Sequence, residues 1–139
     1  MLKFGLIIFA FFLTACTTLP KVEQLPEQAQ TNRLFKVEQA GQASLLSIQF
    51  EKEQWRWVQT DPLGAPIARV VLSKKGWAND GFVMPNGQAR QLFTALAVAL
   101  NPKNPPFKLT DDWKISQNPP HFTITLPDKT QWQIDELEQ

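Results

Sequence analysis

"QWRWVQTDPLGAPIARVVL", residues 54–72, decides how the chain is read. Side chains on a strand alternate between its two faces. Trp55 and Trp57 therefore share one face in the first half. In the second half Ala68, Val70 and Leu72 share a face, with Ile67, Arg69 and Val71 on the other. Between the halves, Asp61-Pro62-Leu63-Gly64 has the residue types of a tight turn. An antiparallel hairpin follows, and the period of two limits its pairing. One parity puts both tryptophans beside Ala68, Val70 and Leu72 and builds a continuous apolar face; the other sets them against Arg69. Within the favourable parity, one register faces Arg56 with Arg69, a like-charge pair. Shifting by two residues separates them and widens the turn. Leu63 is the unusual residue, because turns mostly carry polar groups. Either it folds back over Trp57 or Ile67, or it stands free as an apolar tip.

The same alternation extends on both sides. "RLFKVEQ" (33–39) sets Phe35 and Val37 against Lys36 and Glu38, and "SLLSIQF" (44–50) sets Leu46, Ile48 and Phe50 against Ser47 and Gln49. Gly41 supplies the turn between them, and "EKEQ" (51–54) the next. Past the hairpin, "KKGWANDG" (74–81) reads as a turn, a short edge segment through Trp77, and a second turn at Asn79-Asp80-Gly81. The period then changes. In "NGQARQLFTALAVALNP" (86–102), Leu92, Phe93, Leu96, Ala99 and Leu100 form one stripe at helical spacing. Asn86 is placed to cap the helix and Asn101-Pro102 to end it. After the proline-rich "PKNPPFKL", the segments "DWKIS" (112–116), "HFTITL" (121–126) and "TQWQIDEL" (130–137) return to strand periodicity, the last two joined at "PDK".

Strands thus precede and follow a single helix, with no alternation of the kind a parallel doubly wound sheet requires. The expected fold is mostly β (α+β): a curved antiparallel sheet, or half-barrel, of about seven or eight strands with one helix across its concave side. Trp55, Trp57, Trp77, Trp113 and Trp132 supply large apolar areas for that concavity, and their indole N–H groups need partners.

The N-terminus sets the address. "MLKFGLIIFAFFLTAC" carries Lys3 and then an unbroken apolar stretch from Phe4 to Leu13. That stretch is shorter than the roughly 20 residues a bilayer span takes and has the flanks of a secretory signal. "LTAC" resembles the lipobox of bacterial lipoproteins, which implies cleavage before Cys16 and acylation of its thiol and amine. Cys16 is the single cysteine of the chain, so it has no partner for an internal disulfide. By the sorting preference of that family, Thr17 after the cysteine favours the outer membrane, with the protein facing the periplasm. "TTLPKVEQLPEQAQTN" (17–32) has two prolines, many glutamines and no apolar period, and reads as a flexible tether. The expected organisation is a signal peptide over 1–15, the acylated cysteine and tether over 16–32, and one domain over 33–139.

Losing residues 1–15 removes Lys3 and takes the formal charge from +1 to about zero. A neutral chain without a basic run offers no footprint for nucleic acid. The signals of catalysis are sparse too. His121 is the single histidine and opens a strand after two prolines; Asp111 and Asp112 are adjacent and diverge on a strand; and no glycine-rich phosphate loop is present. No enzyme activity, metal or cofactor is expected.

Taken in order, "LTAC", "QTDPLGAPIARVVL", "GFVMPNGQARQLFTALAVALNP" and "LTDDWKIS" resemble the LolA/LolB superfamily of periplasmic half-barrels, in particular the outer-membrane-anchored LolB-type lipoproteins. The resemblance implies an acyl or lipid-like ligand in the concave pocket, met here by Phe35, Phe50, Trp55, Trp57, Val70, Leu72 and Leu96. It also implies that Leu63 protrudes toward membrane or acylated cargo, and that other envelope lipoproteins are partners. One departure stands out: only Gln117 to Pro120 separate "WKIS" from "HFTITL", where LolB-type chains fit further strands. A shallower hollow suits a smaller acyl or polyene ligand than a whole lipoprotein. The competing expectation is an anchored structural or adaptor lipoprotein whose core is filled by its own side chains and which binds an envelope protein.

Overall fold

The computed structural model describes residues 19–83 and 86–138. Cys16 and the signal stretch lie outside the described residues. Eight strands form one open antiparallel sheet: β1 (Asn32–Gln39), β2 (Gln42–Phe50), β3 (Gln54–Thr60), β4 (Pro66–Ser73), β5 (Gly76–Asn79), β6 (Lys114–Asn118), β7 (His121–Thr125) and β8 (Gln131–Leu137). The strand order is β5-β4-β3-β2-β1-β8-β7-β6, so the first and last strands are neighbours in its middle. One helix, α1 (Gly87–Leu100), enters between β5 and β6. No helix among the described residues is long and apolar enough to cross a membrane.

The β3–β4 hairpin adopts the register that keeps its arginines apart. Trp55 pairs with Leu72, Trp57 with Val70 and Arg56 with Val71, and a bulge at Gln59/Thr60 accommodates the wider turn. Arg56 and Arg69 converge instead on one carboxylate, Asp80, at 3.2 and 3.8 Å. The loop after β5 thus places its acid where the two cations on the convex face need it.

The helix starts and stops for local reasons. Asn86 is extended (φ −124°), and its side chain accepts the amide of Ala89 at 3.0 Å. At the far end Asn101 donates its side-chain amide to the Ala97 carbonyl at 2.8 Å, and Pro102 cannot extend the helix. Thr94, fully buried inside α1, donates to the Arg90 carbonyl and accepts the Trp77 indole N–H at 2.9 Å.

The concave side is filled. Trp57 stacks on Phe93 of α1 with centroids 5.1 Å apart, and Trp77 meets Trp57 edge-on at 5.3 Å. Phe107, from the proline-rich stretch after the helix, stacks on Trp77 at 6.2 Å. Phe35, Leu46, Ile48, Leu72, Leu92, Leu96, Ile124 and Ile134 are all fully buried in the same cluster. Helix and proline-rich stretch together roof the hollow from the β5 edge to the β6 edge.

The segment read as a tether is part of this body from its first described residues. Val22 forms an isolated bridge with Phe107, and the Glu23 amide donates to the Pro106 carbonyl at 2.8 Å. Val22 and Leu25 pack on the core, and Gln28 donates to Asn101 at 2.7 Å. Val22 bridging a buried phenylalanine, with Leu25 packed on the core, outweighs the polar composition around them.

Phe93→Ala is expected to cost about 3–5 kcal/mol of unfolding free energy, as large aromatic truncations in closed cores do. Asn86→Ala is expected to cost about 1 kcal/mol through the lost cap. Urea denaturation followed by tryptophan fluorescence measures both.

Candidate functional site

The residues expected to hold a ligand face the hollow but are consumed by packing. Phe35, Trp57, Leu72 and Leu96 are 0 % exposed, and Trp55 and Val70 are 2 % exposed. Phe50 is half-buried at the rim, edge-on to Trp55 at 5.0 Å. Two open clefts lie elsewhere. The larger, about 810 Å³, is lined by polar residues including Gln28, Arg33, Asn101 and Glu136. The smaller, about 440 Å³, runs between Leu19–Val22 and Lys74–Trp77. None of the seven concave-face residues lines either cleft.

The β3–β4 turn presents a different kind of surface. Asp61 satisfies the turn by itself: its amide donates to the Ala65 carbonyl and its carbonyl accepts from Gly64, both at 2.9 Å. Its carboxylate Oδ1 accepts the amides of Leu63 and Ala65, both at 2.9 Å. Pro62 restricts the backbone ahead of Leu63, and Gly64 behind it adopts φ +89°, a conformation that side-chain-bearing residues rarely take. With the amides of Leu63, Gly64 and Ala65 all bonded to Asp61, Leu63 projects 95 % exposed. It covers neither Trp57 nor Ile67.

Two further large apolar side chains share that end of the sheet. Phe82, fully exposed, lies two residues beyond Asp80, whose amide bonds Arg69 of β4. The β5 chain is antiparallel to β4, so it travels toward the Leu63 turn. Leu45, 41 % exposed, faces the convex side and pairs with Thr60, the last residue of β3. Neither residue was singled out from the sequence. The signal for Phe82 was its place directly after the Asn79-Asp80-Gly81 turn; for Leu45 it was falling out of phase with Leu46 and Ile48.

The rim at the helix N-terminus is polar. Arg90 donates to Asn79 at 2.6 Å and Gln88 to Asp128 at 3.1 Å, tying α1 to β5 on one side and to the β7–β8 turn on the other. Asp128 also accepts the side chain and amide of Thr130, and these bonds, the hydroxyl's foremost, hold its carboxyl below the ordinary carboxylate range. At the opposite end of β7, His121 pairs with Asp135 on an exposed surface. A bidentate Arg33–Glu136 pair, 2.7 and 2.6 Å, joins the middle strands there.

Among known proteins, no family model, no curated sequence and no solved structure matches the chain.

Asp61→Ala is expected to leave the hairpin formed but to speed amide exchange at Leu63 and Ala65, lowering stability by about 1 kcal/mol. Asp128, with its folded value lowered, contributes stability above the ordinary carboxylate range. That contribution is lost as pH falls through the lowered value. An NMR titration should show a depressed midpoint for Asp128, and Thr130→Val should raise it.

Proposed function

We propose that this chain is a membrane-anchored, non-enzymatic envelope protein that docks a protein partner at the Leu63–Phe82 end of its sheet. The distribution of apolar surface carries the reading. Inside, the large side chains are saturated by one another; outside, Leu45, Leu63 and Phe82 are the large hydrophobic residues left exposed among the described residues. Covering a leucine of this kind yields about 1.5–3 kcal/mol. The turn is already rigid through Asp61, so little ordering cost offsets that gain. The anchor in this reading is acylated Cys16, with the protein on the periplasmic side of the outer membrane.

A second reading, an acyl or lipid-like ligand in the hollow, draws support from one observation. The Trp57 indole N–H is buried without a hydrogen-bond partner. Lifting α1, which side-chain bonds hold at the rim, would carry Leu96 away with it and uncover Trp57 together with Phe35, Trp55, Val70 and Leu72. A hollow of that lining suits acyl chains.

Two measurements separate the readings. A chain beginning at Thr17, which keeps the entire described core, is expected to show no saturable quenching of tryptophan by a fluorescent fatty-acyl probe up to tens of micromolar. Saturable quenching that Trp57→Ala reduces would return the hollow to a ligand site. In intact envelopes, a photo-crosslinking residue at position 63 should give a discrete protein adduct, whereas one at Gln49 on the convex face should not. Adducts to lipid alone, or none, would overturn the docking reading.

A further inference from the structure

The strap that begins at Leu19 leaves the domain at one particular corner. Leu19, Pro20 and Lys21 line a groove with Lys74, Lys75 and Trp77, at the β4–β5 turn. Because that segment is packed through Val22 and Leu25, its exit point is fixed relative to the sheet. Cys16 lies three residues before Leu19, and three extended residues reach at most about 10 Å. The Leu63 turn is at the other end of β4. Eight strand residues, at about 3.3 Å each, put roughly 25 Å between the two turns.

We propose that the corner built by Lys21, Lys74 and Lys75 lies against the headgroups of the anchoring bilayer, and that the Leu63 tip consequently points away from that bilayer. The inference rests on the acylation of Cys16 in the reading above, and its occupant is an anionic lipid surface. Charge supports the assignment. Lys21, Lys74 and Lys75 are exposed, and among the described residues none has a carboxylate at ion-pair distance. Glu51 in the adjacent β2–β3 turn is engaged by Arg56 at 3.8 Å and by Gln54 at 3.0 Å. Long lysine stems let their ammonium groups reach a headgroup layer while the backbone stays above it. The far end differs. Asp61, Asp111, Asp112 and Asp128 stand at or beside turns there, interspersed with the exposed Lys114 and Lys129, so that end carries no lysine cluster without acids beside it. Leash length thus selects this face, and the unpaired lysines of its corner fit an anionic surface.

The test uses the full acylated chain reconstituted in vesicles of zwitterionic lipid with about one quarter anionic lipid. Acylation blocks Cys16, so Lys75→Cys or Leu63→Cys each introduces one thiol for a small fluorophore. Lipids bearing a nitroxide on the headgroup are the quencher. Quenching at position 75 is expected to exceed that at position 63 at least threefold. Equal quenching, as from a domain lying on its side, or stronger quenching at 63 would overturn the orientation. Lys21→Glu with Lys74→Glu, added to the position-75 label, should halve its quenching or better; no change would overturn the electrostatic contact. Intact mass keeps the two readings apart. An unmodified Cys16 overturns the anchoring itself, whereas an acylated chain with equal quenching overturns the orientation alone.

Discussion

The contact of Trp57 with Phe93 organises the molecule. A sheet of eight strands with one apolar face cannot be covered by a single helix unless it bends around it, and an indole at the centre of β3 stacked on a helix phenylalanine sets the depth of that bend. Trp77 and Phe107 continue the aromatic layer to the β5 edge, so the proline-rich stretch is drawn into the roof. What resembles a receptacle in outline is, in packing, a core.

Much of this was legible in the residues. The alternation of Trp55, Trp57, Val70 and Leu72 showed which face of the hairpin is buried; of the two registers left open, the one observed keeps Arg56 from facing Arg69. The switch from period two to helical spacing after Asn86 located α1, and Asn86 caps it as its position suggested. Periodicity reports which side chains share a face, but it is silent on volume. That the stripe of α1 fills the hollow completely depends on the summed sizes of Trp57, Phe93, Trp77 and Phe107, which come from four separate stretches.

The parts that escaped the sequence share a cause: each depends on a contact between segments far apart in the chain. Residues 19–28 look like a linker because two apolar residues among glutamines and prolines make no pattern, yet Val22 finds Phe107 85 positions away. Phe107 itself, 1 % exposed, is hidden in a run that reads as loop. The fate of Leu63 turned on whether Asp61 would cap its own turn. Its carboxylate accepts two amides of the turn, and the leucine side chain stands clear of the hairpin.

The adjacency of β1 and β8 has a bearing on folding. Antiparallel neighbours 32–39 and 131–137 are the first and last strands of the sheet, so its middle stays incomplete until the last of them has formed. Pairing strands that lie about a hundred positions apart carries the largest loop-closure cost in the sheet, so the β1–β8 seam is the contact that slows its folding.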